Sequence, residues 1–213
     1  MKIVNADFEL IYEVPAEEIL KKIEKIGRTC YKSIARNTQD SAGKFVMRLI
    51  RDGHEAMLEH ASLTVLFTVD RGVSHEIVRH RLASFAQEST RYCNYSQDKF
   101  GNEITVIQPC FLRVGTPEWT AWYDACLAAE KAYFSMLQAG RTPQEARDVL
   151  PTSLKTELWM TANLREWRHF LKLRAAGTTG KPHPQMAEVA VPLLEILKGY
   201  LPEVFGDIEM KDG

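Results

Sequence analysis

Residues 62–92 read SLTVLFTVDRGVSHEIVRHRLASFAQESTRY, and our interpretation of the fold depends on the strand, the helix and the polar loop in this stretch. Residues 62–69 are rich in β-branched and aromatic side chains and are followed by Asp-Arg-Gly, which predicts a strand and its turn. Helical spacing of apolar side chains predicts a helix over residues 73–84. The polar and aromatic segment 85–101 has no period, so we predict an ordered loop that carries binding groups.

The rest of the chain alternates predicted strands and helices around this stretch. Alternating apolar and polar side chains predict strands at residues 2–14 and 103–107, and residues 151–162 are predicted to be extended or mixed. Apolar stripes with glycine or proline stop signals predict helices at residues 16–26, 41–51, 118–139, 143–150, 164–174 and 184–200. We therefore expect a single α+β domain over residues 1–213, with a central, mainly antiparallel sheet flanked by helices.

The composition excludes several classes of function. The 213 residues, 45% hydrophobic and 26% charged, have the make-up of one globular domain. The formal net charge of -1 gives no basic field of the kind that general nucleic-acid binders use. No apolar run resembles a signal peptide or approaches the roughly 20 residues that span a bilayer, so we expect a soluble protein with no membrane partner. The four cysteines form no C-x-x-C pair, which fits a reducing cytoplasm.

Arg79, His80 and Arg81 place three potential cations side by side. Successive side chains on a helix point about 100° apart, so on the predicted helix these three cannot share one solvent-facing side. At least one of them must then contact protein or a ligand. The loop that follows offers hydroxyls, an amide, Glu88 and Arg91, and this mixture of donors and acceptors suits a flavin or a nucleotide.

The spacing of this segment, Arg-His-Arg, then seven residues, then serine with an arginine two beyond it, resembles the signature of the flavin-dependent thymidylate synthases. The Gly-His-Glu-x3-Glu-His pattern at residues 53–60 resembles the upstream block of that family. Residues 147–151, RDVLP, together with 163–165, NLR, and 173–174, LR, are similar to its C-terminal blocks. The resemblance covers roughly residues 53–174, and the last predicted helix more weakly.

This resemblance implies a methyltransferase that converts dUMP to dTMP. The carbon donor would be 5,10-methylenetetrahydrofolate, and FAD reduced by NADPH would supply the electrons without a covalent enzyme nucleophile. NADPH and NADH remain alternatives as the reductant. The partners would be these small molecules rather than nucleic acid. The resemblance also implies a homotetramer whose active sites are shared between subunits.

The resemblance also implies roles for individual residues. The FAD-binding residues would be Arg79, His80, Arg81, Asn163, Arg165 and His169. His183 is a further candidate, in the loop after Arg174 where family members differ in length and often place a histidine near the flavin. The dUMP-binding residues would be Glu76, Arg79, Gln87, Ser89, Arg91, Arg147 and Arg174. His54 and Tyr92 would border the folate and nicotinamide. Arg174 would be catalytic, because it would stabilise negative charge that develops on the pyrimidine.

The chain departs from the family at two positions. Many members have glutamine three residues before Arg-His-Arg and glutamate two residues before the serine, whereas this chain has Glu76 and Gln87. Since one carboxylate and one amide survive in exchanged places, we hypothesise that the two side chains are neighbours in the dUMP pocket. Ser89 is interpreted as a binding residue because no partner base is evident.

Other interpretations of single residues compete with these roles. Cys93 and Cys110 are interpreted as structural because neither lies in an activating setting. No metal is expected, since the histidine pairs 54/60 and 75/80 lack a suitable third ligand, and His75 and His80 also lie off the i,i+4 face of a helix.

Two rival functions remain. Another FAD-dependent NAD(P)H oxidoreductase would need the flavin residues alone, and tight dUMP binding would distinguish it. A small nucleic-acid-binding protein could use Arg-His-Arg with Tyr92, Tyr95 and Phe100 for stacking, although the net charge of -1 argues against it.

Overall fold

The computed structural model describes residues 1–11, 14–30, 32–33, 38 and 40–211. The strands in these ranges are β1 Lys2–Val4, β2 Asp7–Ile11, β3 Ser62–Asp70, β4 Ala83–Gln87, β5 Thr105–Ile107 and β6 Lys155–Asn163. The α-helices are α1 Ala16–Thr29, α2 Ser41–Arg51, α3 Arg71–Ile77, α4 Pro117–Gln138, α5 Pro143–Ala146, α6 Leu164–Arg174, α7 Pro184–Tyr200 and α8 Pro202–Phe205. Short 3₁₀ helices occupy Glu55–His60, Asp98–Phe100 and Arg147–Val149.

Four strands form a sheet in the order β2-β3-β6-β4, and β1 pairs with β5 in a parallel pair. Strands β3 and β6 run antiparallel: the N–H of Leu164 donates to Ala61 O at 2.9 Å at one end, and the N–H of Arg71 donates to Leu154 O at 3.1 Å at the other. Buried and less buried side chains alternate along both strands, as expected for a sheet with one face on a core. The predicted α+β class with a mainly antiparallel sheet is confirmed.

The described residues fall into two compact units. The first unit comprises Met1–Asp7, Phe67–Arg79 and Phe85–Trp159, and the second comprises Phe8–Leu66, His80–Ser84 and Met160–Gly213. The predicted single domain over residues 1–213 stays a prediction.

Each unit has its own buried cluster. In the first unit, helix α4 contributes Cys126 and Tyr133 to an apolar cluster with Ile104, Val106 and Leu154. In the second unit, α6 and α7 supply the buried side chains, among them Trp167, Phe170, Leu171, Leu193, Leu194 and Leu197. The indole N–H of Trp167 donates to Leu63 O at 3.0 Å, which ties α6 to β3.

The helix predicted over residues 73–84 is wrong beyond its first half. Helix α3 ends at Ile77, and β4 begins at Ala83 within the region predicted to be helix and loop. The edge of β6 explains the difference: the N–H of Glu88 donates to Glu157 O at 2.9 Å beside β4, and tertiary pairing overrides helical spacing in a short apolar run. Residues 79–81 therefore lie between a helix and a strand, so the argument that they fan around a helix does not apply.

Two other predicted boundaries also differ. The predicted stop at Gly27 lies inside α1, which ends at Thr29. Glycine at this position allows α2 to pack closely, because a Cβ would come within 2.7 Å of the Phe45 ring. The strand predicted over residues 2–14 is divided into β1 and β2, and its residues 12 and 13 lie outside the described part of the chain. Among the described helices, none is both long and apolar enough to cross a membrane.

Candidate functional site

The imidazole of His80 is 5% exposed, and both of its ring nitrogens have partners on α6. Nε2 accepts a hydrogen bond from Nε of Arg174 at 3.2 Å, and Nδ1 lies 3.0 Å from Oε1 of Glu166. Because the accepting Nε2 carries no proton, the proton of neutral His80 lies on Nδ1 and is donated to the Glu166 carboxylate. A chain of hydrogen bonds therefore runs from Glu166 through His80 to Arg174.

The protonation of His80 follows from its surroundings. Burial lowers the pKa of His80 and outweighs its hydrogen bond to Glu166, which raises it. The positive charge of Arg174 lowers this pKa further. The ring of Phe170 packs edge-on against the imidazole with 4.9 Å between centroids. His80 is therefore neutral near pH 7, which is the form that can accept from Arg174.

Helix α6 presents these partners because of its cap and its periodicity. Oδ1 of Asn163 accepts a hydrogen bond from the N–H of Glu166 at 2.9 Å and fixes the first turn. Glu166, Phe170 and Arg174 follow at intervals of four residues, so they line the face of α6 that His80 contacts. Sequence reasoning missed Glu166, although a buried acid in a first helical turn needs a partner.

A cavity of about 600 Å³ lies in the second unit beside this hydrogen-bond chain. Its lining residues are Glu55, Glu59, Leu82, Asn163, Arg165, Glu166, His169 and Lys172. It therefore brings together three of the predicted FAD residues, Asn163, Arg165 and His169. A neighbouring groove of about 340 Å³ shares Asn163 and adds Arg81.

Acidic side chains accompany the cations of this cavity. Nη1 of Arg165 donates to Oε1 of Glu59 at 2.6 Å, and both side chains are about half exposed. Nζ of Lys172 lies 3.9 Å from Oε1 of Glu55. An incoming phosphate would compete with Glu59 for Arg165.

His80, Glu166 and His169 also form a group of potential metal ligands whose donor atoms lie within 4.8 Å of one another. This group differs from the histidine pairs 54/60 and 75/80 that the sequence offered as possible metal ligands. The guanidinium of Arg174 on Nε2 of His80 disfavours a second cation at the same imidazole. The absence of a metal stays a prediction.

Gln87 is held by hydroxyl groups of the first unit. Its Nε2 donates to Oγ of Ser74 at 2.9 Å and to Oγ1 of Thr156 at 3.3 Å, and both hydroxyl residues are buried. Oγ of Ser74 in turn donates to Arg71 O at 2.9 Å, so the amide of Gln87 acts as the donor in this network. The hypothesis that Glu76 and Gln87 are neighbours stays a hypothesis.

Arg71 organises the segment that contains the motif serine. Its Nη1 donates to Glu88 O at 3.2 Å and to Oγ1 of Thr156 at 3.0 Å, and its Nη2 donates to Oγ1 of Thr90 at 3.3 Å. These acceptors are neutral, and two of them belong to the residues on either side of Ser89, so Arg71 ties Glu88 and Thr90 to Thr156 of β6. Sequence reasoning missed Arg71, because no sequence pattern announces three acceptors that lie 17, 19 and 85 residues away.

Ser89 begins a tight turn. Its backbone oxygen accepts from the N–H groups of Tyr92 and Cys93, and its Oγ accepts from the N–H of Arg91 at 3.3 Å. The guanidinium of Arg91 lies over the ring of Tyr92, 5.5 Å from its centroid, and the Tyr92 side chain is 77% exposed.

Most of the other predicted site residues are exposed: His54, Arg79, Arg81, Arg91, Arg147, Arg165, His169 and His183. Glu76, Ser89, Asn163 and Arg174 are half-buried. Arg79, Arg91 and Arg147 belong to the first unit and Arg174 to the second, so the predicted convergence of these four arginines stays a prediction.

Comparison with known proteins identifies relatives over most of the chain. A family model described as thymidylate synthase complementing protein matches residues 10–203. The flavin-dependent thymidylate synthase of Corynebacterium efficiens is 31% identical over 201 residues, which cover 89% of this chain and 79% of that protein. The flavin-dependent thymidylate synthase of Geobacter sulfurreducens is 30% identical over 187 residues, which cover 84% of this chain and 78% of that protein.

Among solved structures, a UMP/dUMP methylase named PolB from Streptomyces cacaoi, bound with 5-Br dUMP, has a similar fold. The TM-score is 0.79 at 23% identity, and the match covers 97% of this chain and 96% of that chain. At this identity the likeness concerns the fold alone.

Proposed function

This chain belongs to the thymidylate synthase complementing protein family, and we propose that it is a flavin-dependent thymidylate synthase that methylates dUMP to dTMP. The carbon donor is 5,10-methylenetetrahydrofolate, and the reductant is NADPH. One structural observation supports this proposal above the others. His80 of the Arg-His-Arg motif contacts Arg174, which is 94 residues away, through a partly buried hydrogen bond of 3.2 Å.

FAD fits the donor set of the second-unit cavity. Arg165 and Lys172 supply positive charge for a diphosphate, and Asn163 supplies an amide next to the start of α6. Arg81, Arg79, His169 and His183 are the further candidates. When bound, FAD would supply the hydride and mediate transfer of the one-carbon unit.

The chain itself binds and orients dUMP. Arg91 and Arg147 are exposed cations that suit its phosphate, and Ser89 is presented by the turn that Arg71 supports. Glu76, Arg79 and Gln87 are the other residues that we assign to the nucleotide. Arg174 stabilises the negative charge that develops on the pyrimidine. Because this cation is already in position, no rearrangement is needed as the charge forms.

No covalent enzyme nucleophile takes part in the proposed reaction. Burial raises the pKa of the Cys93 thiol, and the charge of Glu88 raises it further, so this thiol is protonated near pH 7. Oγ of Ser89 accepts a hydrogen bond from the backbone of Arg91, which supports a binding role.

The proposed assembly is a homotetramer with shared active sites. His54 and Tyr92 are assigned to the side of the site that binds folate and nicotinamide. Both side chains are exposed, so they are accessible to such ligands.

The proposed function is tested by one combined assay. Purified protein reconstituted with FAD should show flavin absorbance and should release tritium from 5-tritiated dUMP when methylenetetrahydrofolate and NADPH are present. Replacing NADPH with NADH in parallel establishes the preferred reductant. A protein that stays colourless with added FAD and releases no tritium contradicts the proposal.

A protein that binds FAD and oxidises NADPH at a rate independent of dUMP also contradicts it. That result identifies the rival oxidoreductase.

A further inference from the structure

Both hydrogen-bonding atoms of the His80 imidazole are already used within the second unit. Nδ1 faces Oε1 of Glu166 at 3.0 Å, and Nε2 faces Nε of Arg174 at 3.2 Å. The ring is 5% exposed and is covered on one side by Phe170. To hydrogen-bond a flavin, His80 would have to give up one of these partners. This geometry suits a residue that acts on another side chain rather than on a ligand.

We propose that Glu166 and His80 are positioning residues that orient Arg174 toward the pyrimidine of dUMP, an inference that rests on the proposed function. A guanidinium is planar, so a hydrogen bond at Nε fixes the plane of the group and the direction of its Nη atoms. His80 supplies that bond, and Glu166 fixes the ring that supplies it. Second-layer partners of this kind place a functional cation within the narrow tolerance that catalysis requires.

The cap of α6 allows Glu166 to take this role. Its backbone N–H is satisfied by Asn163, so the first turn of the helix does not depend on its side chain. The carboxylate is 5% exposed and points at the imidazole. A substitution at this side chain therefore probes the hydrogen-bond chain with the helix cap intact.

The arrangement requires neutral His80. An imidazolium would present an N–H to the N–H of Arg174 and would place two positive charges next to each other, so protonation ends the contact. The titratable and charged groups that face His80 are Glu166, His169 and Arg174, all from α6. Burial lowers the pKa of His80, so the contact persists near pH 7 and is lost as the pH falls through that pKa.

The first experiment determines the proton position without any substrate. The six histidines of the intact protein are labelled with ¹⁵N, and the signals of His80 are assigned by comparison with His80→Gln. We expect the tautomer with a proton on Nδ1 and a bare Nε2. A His80 that is protonated on Nε2 at pH 7.5 overturns the proposal.

The second experiment measures kcat, KM for dUMP and the pH profile of the FAD-saturated protein. Glu166→Ala should lower kcat about 10-fold or more and change KM for dUMP less, because the orientation of Arg174 is lost. Glu166→Gln keeps an acceptor for Nδ1–H and should retain kcat within about 3-fold. Since Glu166 raises the pKa of His80, the acid limb of the Glu166→Gln profile should move to lower pH.

Glu195→Gln is the matched control, since Glu195 is an exposed carboxylate of the same unit that pairs with Lys198 instead. Its acid limb should stay where that of the wild type is. If Glu166→Ala keeps both the kcat and the acid limb of the wild type, the positioning role is wrong. If the wild-type protein does not methylate dUMP at all, the proposed function fails, and the tautomer measurement still shows whether the hydrogen-bond chain exists.

Discussion

The two units hold their predicted site residues by different means. In the second unit, a buried carboxylate, a neutral imidazole and Arg174 form a chain of directed hydrogen bonds. In the first unit, Arg71 reaches neutral oxygen acceptors on Glu88, Thr90 and Thr156, and the predicted site cations Arg79, Arg91 and Arg147 are exposed. Exposed cations attract an anion and adapt to it, whereas a buried chain fixes one geometry in advance. The comparison predicts that substitutions in the buried chain of the second unit affect the rate, and that substitutions around Arg71 in the first unit affect the affinity for dUMP.

The largest effect is expected at Arg174. Arg174→Lys keeps the positive charge but removes the planar group and the Nε donor to His80. By analogy with the loss of one preorganised donor to developing charge, kcat should fall about 10²–10³-fold while binding of dUMP changes far less. Steady-state kinetics and dUMP titration measure the two quantities separately. Arg51→Lys, on the exposed end of α2, is the control and should keep kcat.

A fall in dUMP affinity that matches the fall in kcat would remove the distinction between the two units.

The next effect concerns the opposite side of α6. Arg168 is 1% exposed, and its guanidinium donates two hydrogen bonds to Asp207, at 2.5 and 2.7 Å, one to Val204 O and a longer one to Oε1 of Glu55 at 3.4 Å. The Asp207 side chain is about half exposed, so the main cost of removing Arg168 is the buried Val204 O left without its donor, which amounts to about 1–3 kcal/mol of unfolding free energy. Arg168→Leu should therefore shift the urea midpoint strongly, whereas Arg51→Leu should change it little, since Arg51 pairs with Asp52 at the surface.

Equal urea midpoints for the two variants would show that Arg168 does not hold α6 in place.

The pH dependence of the free energy of unfolding offers a second check. The hydrogen bond to Arg168 lowers the pKa of Asp207, so the stabilisation is present above the usual pKa of an aspartate and is lost as the pH falls through the lowered value. Arg168→Leu should lose this acid-dependent part of the stability.

An intermediate effect is expected at Arg71. Arg71→Gln leaves Glu88 O and the hydroxyl of Thr90 without their donor, so the turn at Ser89 should loosen. We expect KM for dUMP to rise about 10-fold with a smaller change in kcat, since the loss of about 1–2 kcal/mol falls on substrate binding. Arg141→Gln, on the exposed surface of the same unit, serves as the control.

If Arg71→Gln lowered kcat with an unchanged KM, the first unit would behave as we predict for the second.

The smallest effect is expected at Glu59. Its ion pair with Arg165 is about half exposed, and such pairs are worth about 0–1 kcal/mol. Glu59→Gln releases Arg165 and should tighten FAD binding by about two- to five-fold at low salt, with less gain at high salt. Flavin fluorescence titration measures it. Glu195→Gln, which loses an exposed pair with Lys198, should leave FAD affinity as it is.

Weaker FAD binding in Glu59→Gln would show that the carboxylate takes part in the flavin site.

The helices with clear boundaries were the ones that sequence reasoning could predict. Ser41–Arg51, Leu164–Arg174 and Pro184–Tyr200 have the predicted bounds, because each combines an amphipathic pattern with a stop or start residue. Strand β4 was missed because its short apolar run is stabilised by β6, which lies about 70 residues further along the chain. The sequence indicates a stop at Gly27, whereas the role of this glycine depends on Phe45 in another helix.

In the candidate site, too, local sequence patterns predict single residues but not the contacts between residues that lie far apart in the chain. The Arg-His-Arg spacing predicts a role for His80, and a separate C-terminal block predicts one for Arg174. The contact between them and the roles of Glu166 and Arg71 depend on distances that no local pattern contains. Ion pairs such as Glu59 with Arg165 likewise join residues 106 positions apart.

One anaerobic measurement tests the central claim directly. The FAD of the reconstituted protein is reduced, dUMP and methylenetetrahydrofolate are added without oxygen, and both flavin absorbance and dTMP are followed. We predict that the flavin is reoxidised and that one dTMP forms for each flavin. Flavin that stays reduced until oxygen is admitted, with no dTMP formed, would contradict the account.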